Sequence, residues 1–483
     1  MTMSVYVTTS IPYVNARPHV GHALELIQAD VIARYHRLLS HSTRLQTGTD
    51  ENAFKNVLSA RAENISTQEL VDRNSLLFQE LAVALDISHD SFIRTTSDQH
   101  KRAVQRFWHR LKKGDIYVKR YRGLYCTGCE DFYLERDLVG GRCPDHGTQP
   151  AEVHEDNYFF RLSDYGDRLI ELLGSSKLRI VPETRKNEVL SFVSRGLQDI
   201  SISRPRERSG GWGIPVPGDP SQVVYVWIDA LINYVSGLGY GDDDSVWRDY
   251  WGADTLKVHV IGKNVWKFHA VYWPALLMST GLTLPDELVV HGFLTENGEK
   301  ISKSKGSAID PFATIKDYGT DAVRYYLLRG TSPFGDGDFS IPGLKRLYNS
   351  DLANGLGNLV SRVATLADRA KYGKHDCSTI PSAPDGYHES LGRYEFDNAL
   401  KALWAIVTHL NQDIDRKRPW EALRKSNAPQ MKAPLTEWLG ELRRVACWLA
   451  PFLPAASAAI LGVVSGDPIT ARPPLFPKVG LGT

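Results

Sequence analysis

The sequence predicts a doubly wound α/β sheet that is interrupted by a cysteine-rich insertion and followed by an all-α region. Strand and helix patterns alternate over residues 1 to about 115, as a parallel sheet covered by helices requires. From Tyr125 to about Phe160 the chain is instead rich in Cys, Gly and short turns, and the α/β pattern then returns. From about Ile341 onward nearly all of the sequence has helical periodicity, apart from a Gly/Pro/Ser-rich stretch at 373–387. We therefore expect two halves of one sheet, an insertion between them and a helical C-terminal domain.

The individual elements of the α/β part follow from their periodicity. Ser4–Thr9 alternates in the manner of a buried first strand, and Ala23–Tyr35 has apolar residues at helical spacing. Thr43–Thr49 predicts a second strand, and the polar residues Asp50 and Glu51 follow it, where open sheets place ligand contacts. The returning pattern predicts three further strands, at Val223–Trp227, Thr255–Gly262 and Leu288–Gly292.

Composition and charge limit the possible functions. With 483 residues the chain is too long for one ordinary domain, and its 42% hydrophobic content supplies ample core. Because the net charge is +1, a nucleic-acid partner must be held by local basic patches. The N-terminus lacks the layout of a signal peptide, and prolines interrupt the apolar run from Cys447, which favours a core helix over a membrane span. We expect a cytoplasmic protein that does not enter a membrane.

Three of the five cysteines form a motif with the spacing of a metal site. Cys126 and Cys129 are one knuckle-spaced pair, and Cys143 and His146 are a second. Three thiolates and one imidazole are the ligand set of a closed tetrahedral zinc site, which leaves no position open for catalysis. We therefore expect one structural Zn²⁺ per chain. The alternative, two unrelated cysteine clusters, is disfavoured by the paired spacings.

Two further motifs carry charge that suits an anionic ligand. His19 and His22 flank Gly21 at the junction of the first strand and the first helix, where free backbone N–H groups favour an anion. The stretch 298–306 alternates three lysines with serines, which suits a polyphosphate without the glycine framework of a P-loop. Taken singly, each motif has a simpler explanation: a helix start with two solvent-exposed histidines, and a solvated basic turn.

Together these motifs resemble the two signature sequences of class I aminoacyl-tRNA synthetases, and the rest of the chain is similar to the methionyl-tRNA synthetase family. His19–His22 resembles the HIGH signature, and Lys300–Ser304 resembles the KMSKS signature. The resemblance extends from residue 4 to about 460. Besides the cysteine–histidine knuckle, the family-like segments are Ile11–Asn15, Thr47–Glu51, Asn157–Leu162, Ser201–Pro205, Tyr225–Ala230, Ile261–Lys263, Phe268–Pro274, Val290–Leu294, Asp310–Pro311 and Asp321–Tyr326.

The resemblance implies a Rossmann-like catalytic domain split by a zinc-binding insertion, and an anticodon-binding helical domain. The implied ranges are 1–117 and 223–290 for the catalytic domain, 118–222 for the insertion, 291–345 for the region of the KMSKS loop and the tRNA stem contact, and 346–483 for the anticodon-binding domain. The implied activity is that of a methionine–tRNA ligase, with ATP, L-methionine and tRNA as partners.

For ATP, the resemblance implies a set of basic and backbone contacts. His19 and His22 contact the phosphates as charge develops, while Lys300 and Lys303 close on the leaving pyrophosphate and Lys263 adds a further cation. Mg²⁺ arrives with ATP. The implied ATP-binding residues are His19, Gly21, His22, Glu25, Arg204, His291, Gly292 and Lys303.

For methionine, the resemblance implies an aromatic cleft, which suits a polarisable thioether, and Asp50 as the partner of the substrate ammonium. The implied pocket residues are Ile11, Tyr13, Asp50, Trp227, Leu231, Tyr234, Val265 and His269. For tRNA, Asn358, Arg362 and Trp420 match the residues that read the CAU anticodon by hydrogen bonding and stacking. A solvated helix face is the simpler explanation of the Asn358/Arg362 pair when the pair is taken alone.

The chain departs from the family pattern at several positions. Asn52 and Ala53 stand where the family usually has His-Gly, Asn264 stands where an Asp is common, and Leu231 occupies a site that some members fill with Pro. These departures leave open a second hypothesis, a specialised paralogue that activates an amino acid for a non-tRNA acceptor. A third, a binding protein without catalysis, is disfavoured because both histidines and both key lysines are present. Since no coiled coil or oligonucleotide-binding β-barrel follows the helical region, we expect a monomer.

Overall fold

The computed structural model describes residues 3–133, 135–144, 147–242, 244–296, 299–300, 309–424 and 428–480. Its contacts divide the chain into two compact units that interleave along the sequence. Unit 1 comprises Met1–Pro18, Ser40–Ala82 and Ser88–Val290, and unit 2 comprises His19–Leu39, Val83–Ile87 and His291–Thr483. The helix that follows the first strand therefore belongs to a different unit from the strands before and after it in the chain.

A six-stranded sheet forms the centre of unit 1. Its strands lie in the order Ser91–Arg94, Ser42–Thr49, Ser4–Thr9, Thr255–Gly262, Glu287–His291 and Arg179–Val181. The first strand pairs in parallel with both of its neighbours, so that Ser4 faces Ser42 on one side and Thr255 on the other. Early and late segments of the chain thus form adjacent strands. The prediction of one parallel sheet built from two halves is confirmed.

Burial explains why these residues form the central strands. Val5, Tyr6 and Val7 are fully buried, so the first strand is covered on both faces, as strands of parallel sheets are. The helices that lie wholly or mainly in unit 1 are Phe54–Glu63, Thr67–Ala84, Asp98–Arg110, Gly166–Gly174, Glu183–Ser194, Val226–Leu231, Asn233–Ser236, Asp244–Tyr250 and Trp273–Thr280. A π-helical turn at Phe268–Tyr272 precedes the last of them.

The insertion forms small sheets of its own. One has the strand order Asp131–Tyr133, Ile116–Cys126, Ala151–Phe160 and Ile200–Ser201, and another has the order Pro215–Val216, Asp219–Val224 and Ser203–Pro205. The strand predicted at Val223–Trp227 is wrong in part, because the strand ends at Val224 in the smaller antiparallel sheet and Val226–Leu231 is helical. This helix is buried nearly all round, and a short apolar run of that kind does not distinguish a buried helix from a strand.

Unit 2 is mainly helical, as predicted for the C-terminal region. Its helices are Val20–Leu38, Pro311–Tyr318, Thr320–Arg329, Ile341–Leu347, Asn358–Arg369, Tyr387–Gly392, Phe396–Lys417, Pro419–Arg424, Lys432–Leu449 and Pro454–Val464, with a π-helical stretch at Tyr348–Gly357. A small sheet has the order Glu299–Lys300, Leu294–Glu296 and Gly337–Asp338. Within the described parts of both units, no helix combines the length and the apolar character needed to cross a membrane.

A fully buried arginine joins three segments of unit 2. Arg324 Nη2 lies 2.7 Å from the buried carboxylate of Asp30, which is on the helix after the first strand. The guanidinium also donates to the carbonyl oxygens of Leu85, Pro451 and Phe452, over distances of 3.1, 3.0 and 2.7 Å. Because the charge is paired and the guanidinium donates to several carbonyl oxygens, the arginine can be buried without an uncompensated cation.

Candidate active site and metal centre

The carboxyl ends of the first two strands bring Tyr13 and Asp50 together. After the first strand the chain runs beside the end of the second, so that Tyr13 and Asp50 form an isolated parallel bridge. The Asp50 backbone N–H donates to the Pro12 carbonyl oxygen at 2.9 Å. Two of the predicted pocket residues are therefore adjacent, at the edge where doubly wound sheets bind ligands.

Asp50 belongs to a group of buried carboxylates in unit 1, which we call the acid cluster. The acid cluster consists of Asp50, Glu51, Glu130 and Asp229, which are at most 3% exposed. Arg94 donates to both oxygens of Glu51, at 2.6 and 3.0 Å. The Lys55 backbone N–H donates to Glu130 at 2.8 Å. These two carboxylates thus have a cation or a backbone donor of their own, which offsets part of the cost of burying them.

Asp50 has no comparable partner. Among the described residues no cation pairs with it, and the one hydrogen bond found to its carboxylate there comes from the Asn52 backbone N–H at 3.3 Å. Burial, and then the nearby carboxylates of Asp229 and Glu130, raise the pKa of Asp50 well above its usual range. A cationic ligand would stabilise such a carboxylate as an anion. Asp50 is therefore the member of the acid cluster that favours an ammonium group.

Protein groups use both oxygens of Asp229. His100 Nε2 lies 2.6 Å from Oδ1, and the Asn52 side-chain amide donates to Oδ2 at 2.7 Å. The other ring nitrogen of His100 lies 2.7 Å from the Ser236 hydroxyl, and the Asn52 amide also donates to the Thr95 carbonyl oxygen at 3.1 Å. Asn52, where the chain departs from the family pattern, therefore bridges two members of the acid cluster.

Aromatic rings extend from Tyr13. Trp227 stacks on Phe268 with ring centres 3.7 Å apart, and the ring of Tyr13 lies 5.8 Å from that of Trp227. The Tyr13 hydroxyl is buried, and it has no hydrogen-bond partner among the described residues. A buried hydroxyl without a partner, beside a carboxylate without a cation, indicates a place for a polar group of a ligand.

The other predicted pocket residues lie in the core of unit 1 or at its edge. The Tyr234 hydroxyl lies 2.6 Å from His269 Nε2, and His269 Nδ1 lies 2.9 Å from the Val265 carbonyl oxygen. Leu231 is buried in the same hydrophobic core as Tyr234 and Val265, whereas Ile11 is half-buried. Contacts at both ring nitrogens fix the orientation of the His269 ring.

The three cysteines of the predicted metal site lie together. The Sγ atoms of Cys126, Cys129 and Cys143 are all within 4.8 Å of one another, and those of Cys129 and Cys143 are 3.4 Å apart. Tetrahedral zinc with bonds to sulfur of about 2.3 Å places its sulfur atoms about 3.8 Å apart. The fourth predicted ligand, His146, lies outside the described residues. The three thiols fit a metal ion that prefers sulfur ligands.

The segment 129–131 makes polar contacts with Trp227 and Lys267, beside the aromatic rings. The Cys129 carbonyl oxygen accepts a hydrogen bond from Trp227 Nε1 at 3.2 Å. A little further along, the carboxylate of Asp131 lies 2.5 Å from Lys267 Nζ, next to the phenylalanine that stacks on Trp227. The cysteine cluster is thus linked to the Trp227 indole by one direct hydrogen bond.

In unit 2, the two predicted histidines cap the helix Val20–Leu38. His19 Nδ1 accepts from the Gly21 N–H at 3.1 Å, and the His19 N–H donates to His22 Nδ1 at 3.1 Å. A Cβ atom on Gly21 would lie 2.8 Å from the His19 ring, so glycine leaves this geometry undistorted. The reciprocal capping fixes both rings at the positive end of the helix, where an anion is stabilised.

Glu25, His291 and Gly292 also lie together in unit 2. His291 Nε2 is 2.9 Å from the Glu25 carboxylate, and His291 Nδ1 is 2.7 Å from the Gly292 carbonyl oxygen. A Cβ atom on Gly292 would lie 2.1 Å from a neighbouring backbone oxygen, so this close approach requires glycine. Lys303 and the side chain of Lys300 lie outside the described residues.

The remaining predicted ATP-binding residues belong to unit 1. The Arg204 guanidinium lies 3.8 Å from the centre of the Tyr125 ring and 3.5 Å from Glu155. Its Nε and Nη2 atoms are buried and have no hydrogen-bond partner among the described residues, and it lines a cavity of about 130 Å³ together with Asn52. Lys263 directly follows the strand that pairs with the first strand. Glu130 and Glu155 line the same cavity, so the charge of Arg204 is partly balanced by protein carboxylates.

The predicted anticodon residues lie on two helices of unit 2 that contact each other. Asn358 is exposed at the start of one helix, and Arg362 follows one turn later. The Arg362 guanidinium lies 3.4 Å from Asn411 and 2.5 Å from the exposed carboxylate of Asp415. Trp420 is half-buried on the second helix. The arrangement leaves polar and aromatic side chains on the surface of one helical region.

Sequence reasoning missed several residues that shape the site. Asp229 and Phe268 lie within segments that carry the family resemblance, but no role followed from that resemblance alone. Glu130 comes directly after Cys129, a position that gave a signal only for metal binding. His100 gave none, since one histidine on an amphipathic helix has many explanations. The contacts of these residues are known only from the fold, which brings distant segments of the chain together.

A split parallel sheet with a cysteine cluster in its insertion, a histidine-capped helix and a helical C-terminal region together define a class I aminoacyl-tRNA synthetase. A family model described as "tRNA synthetases class I (M)" matches residues 5–154 and 146–364. The chain belongs to this family.

Curated relatives and solved structures resemble the chain over nearly its whole length. A "Methionine--tRNA ligase" of Mycobacterium bovis is 43% identical over 488 residues, which cover 96% of this chain and 92% of the relative. One from Rhizobium meliloti is 40% identical over 514 residues, covering 99% and 98%. The structure of "Mycobacterium tuberculosis methionyl-tRNA synthetase in complex with methionyl-adenylate" has a TM-score of 0.90 at 38% identity, covering 99% of this chain and 100% of that one. The predicted family and fold class are confirmed.

Proposed function

We propose that the chain is a methionine–tRNA ligase, which activates L-methionine with ATP and transfers it to the terminal adenosine of the tRNA with a CAU anticodon. The observation that carries the proposal is Asp50, a buried carboxylate without a protein cation, close to the aromatic rings of Tyr13 and Trp227. An α-amino acid supplies the missing cation, and a thioether interacts favourably with aromatic rings. The family match and the names of the relatives support methionine and tRNA as substrates.

In the proposed first step, the methionine carboxylate attacks the α-phosphorus of ATP, and pyrophosphate leaves. Protein groups contribute position and charge in such a transfer, not covalent bonds. We assign the substrate ammonium to Asp50 and the ATP phosphates to His19 and His22, which cap a helix N-terminus. The lysines proposed to stabilise the phosphates and pyrophosphate are Lys263, Lys300 and Lys303. Glu25, Arg204, His291 and the glycines Gly21 and Gly292 complete the proposed ATP contacts.

We propose Zn²⁺ as the ion of the cysteine cluster and Mg²⁺ as the ion that accompanies ATP. Cys126, Cys129, Cys143 and His146 would hold the zinc, and three thiolates support that choice because they favour zinc over hard cations. Bound zinc supplies a structural cross-link, since the proposed ligand set leaves no open position. The hydrogen bond from Trp227 to the Cys129 carbonyl oxygen would then restrain the tryptophan ring as well.

Metal removal is expected to weaken methionine binding while the central sheet stays folded. Without the ion the Cys129 segment loses its restraint, and the Trp227 indole loses a fixed acceptor. Outer contacts of metal ligands typically contribute about 10- to 100-fold to affinity or activity, so we expect the Kd for methionine to rise by about tenfold. Titration followed by tryptophan fluorescence measures it, before and after chelation and after zinc is restored.

The control for metal removal is Cys447→Ser, which changes a buried cysteine in unit 2, and its Kd for methionine should equal that of the unaltered chain. Cys129→Ser should reproduce the effect of chelation. An unchanged Kd in fully metal-free protein would contradict the coupling between the metal and the pocket.

Methionine-dependent exchange of pyrophosphate into ATP tests the activation step. The assay is run over a panel of amino acids that includes homocysteine, leucine and norleucine. Exchange with methionine at the highest kcat/KM is the expected result. Exchange with another amino acid in preference to methionine would rule out the proposed specificity. Charging of a CAU transcript, compared with the same transcript carrying a changed anticodon, tests the second substrate.

Arg362→Ala is expected to raise the KM for the CAU tRNA by about 5- to 100-fold and to leave methionine-dependent exchange unchanged. The reason is the loss of a charge-assisted or stacking contact, each worth about 1–3 kcal/mol. Asp415→Asn is the informative partner variant, because it releases the guanidinium from its exposed carboxylate. Its KM for tRNA should fall or stay equal. Equal effects of Arg362→Ala on exchange and on charging would contradict an anticodon role.

The alternative acceptor is disfavoured by the coverage of the relatives. Asn52 and Asn264 motivated that hypothesis, yet the chain spans 98% of a relative named for tRNA ligation. Within our proposal, 1–117 and 223–290 form the catalytic domain, 118–222 the insertion, 291–345 the KMSKS-loop region and 346–483 the anticodon-binding domain. We further propose that the protein acts in the cytoplasm, where tRNA is charged, and as a monomer.

A further inference from the structure

Asn52 forms hydrogen bonds with two carboxylates of the acid cluster. The Asn52 backbone N–H donates to Asp50 at 3.3 Å, and its side-chain amide donates to Asp229 at 2.7 Å. Both carboxylates are buried, at 1% and 0% exposure. An ammonium group that enters this region therefore meets two carboxylates that could accept it.

The protein treats the two acceptors differently. Both oxygens of Asp229 have protein partners, Oδ1 at 2.6 Å from His100 and Oδ2 at 2.7 Å from Asn52. Among the described residues, Asp50 has only the longer backbone hydrogen bond. A carboxylate whose oxygens are already engaged is a weaker competitor for a new cation than one that is not.

We propose that Asn52 and His100 are positioning residues, which occupy Asp229 and thereby direct the substrate ammonium to Asp50. The inference rests on the proposed function, since it assumes that an α-amino acid is the ligand. It predicts that freeing Asp229 lets the amino group bind there instead, with the carboxylate displaced from its reacting position. A displacement of about 1 Å can cost about a hundredfold in rate without loss of binding.

The charges that surround Asp50 are consistent with this role. Glu51 is neutralised by Arg94, and Glu130 accepts the Lys55 backbone N–H. Glu51 and Glu130 are therefore weaker competitors for the ammonium than Asp229 would be if it lost its contacts with Asn52 and His100. The His100 ring is held from its other side by the Ser236 hydroxyl, so it stays aimed at Asp229.

The first test compares binding with turnover in Asn52→Ala. The Kd for methionine, followed by tryptophan fluorescence, should stay within about threefold of the unaltered value, while kcat for exchange falls by about 10- to 100-fold. Asn52→His offers a ring N–H in place of the amide and should restore kcat. Asn398→Ala is the control, because it removes an amide that donates to a carboxylate of unit 2, Glu395, at 2.9 Å. Its Kd and kcat should not change.

The second test is a double-mutant cycle of Asp50 and Asn52. We expect its two effects on methionine binding to be non-additive, which a purely structural role of Asn52 would not produce. In the unaltered chain, Asp50→Asn should abolish measurable methionine binding. In the Asn52→Ala background, the same change should weaken binding by less than about tenfold, because Asp229 then accepts the ammonium. Equal losses from Asp50→Asn in both backgrounds would overturn the proposal. His100→Gln, which frees the other oxygen of Asp229, repeats the cycle should Asn52→Ala fail to fold.

Different results would overturn the proposed function and the proposed positioning role. If the unaltered chain shows no methionine-dependent exchange, the proposed function is wrong. If the unaltered chain exchanges normally but the cycle is additive, only the positioning role is wrong. A parallel drop of kcat and of methionine affinity in Asn52→Ala would likewise assign Asn52 to general pocket structure and overturn the proposal.

Discussion

Replacing Asp50 by asparagine is expected to lower kcat/KM for methionine in the exchange reaction by about a hundredfold or more. The variant keeps the shape of the side chain but leaves the substrate ammonium buried without its counter-charge, which costs about 3–5 kcal/mol in buried pairs. The KM for ATP should change far less, since Asp50 is not among the proposed ATP contacts. Activity close to that of the unaltered protein would rule out Asp50 as the partner of the ammonium.

The pH dependence of methionine binding gives Asp50 a second test. Only the carboxylate form accepts the ammonium, and burial beside other carboxylates raises the pKa of Asp50 well above its usual range. As the pH falls through this raised pKa, a proton competes with the substrate. As the pH is lowered, the KM for methionine should therefore begin to rise at a higher pH than it would if Asp50 had the ordinary aspartate pKa of about 3.9. Asp50→Asn should lose this dependence.

The same raised pKa predicts that Asp50→Asn stabilises the ligand-free protein. The unfolded chain releases the Asp50 proton near pH 4, roughly at the ordinary pKa, whereas the folded protein releases it only at a higher pH. Between these values the folded state binds more protons, so the free energy of unfolding falls as the pH rises, and the cost remains at neutral pH. Thermal unfolding at neutral pH should show a higher Tm for the variant. A lower Tm would contradict an uncompensated carboxylate at this position.

Replacing Asp30 by alanine is expected to destabilise unit 2 by about 3–5 kcal/mol, because it removes the carboxylate that pairs directly with the buried Arg324 guanidinium. Hydrogen–deuterium exchange of the backbone amides of Val20–Leu38 measures the effect locally. Their protection should fall by about a hundredfold to several thousandfold if they exchange through opening of this unit.

Arg393→Ala is the control for Asp30→Ala. It breaks an ion pair with Glu389 in the same unit, but the arginine side chain there is 51% exposed. Exposed pairs contribute little, so protection of the same helix should change by less than about threefold. Equal protection in the Asp30 and Arg393 variants would show that the buried pair does not stabilise the helix.

The parts of the molecule that have a strong local signal could be predicted from the sequence. The alternating run Ser4–Thr9 gave the first strand within its observed bounds, and the spacing of Cys126, Cys129 and Cys143 gave a cluster that the fold brings together. The resemblance to a known family then pointed to Tyr13 and Asp50, which the chain places in one bridge. Each of these signals lies within a few neighbouring residues or follows a known pattern.

The parts that could not be predicted depend on long-range packing. His100 and Asp229 are far apart in the sequence, and neither residue type at its position indicates a buried pair. The strand predicted at Val223–Trp227 failed for a related reason, because burial from all sides hides the periodicity that separates a helix from a strand. In the sequence Asn52 is a departure from the family pattern, and only the fold shows that its amide donates to Asp229.

The interleaving of the two units has a consequence for synthesis on the ribosome. The helix that carries Asp30 emerges early, but Arg324 and the carbonyl groups of Pro451 and Phe452 are translated only after unit 1 is complete. At about 5–20 residues per second, the delay is on the order of tens of seconds. During that time Asp30 is without Arg324, the buried cation that it pairs with in the folded protein. Order of translation, and not only final stability, therefore constrains how this chain reaches its native state.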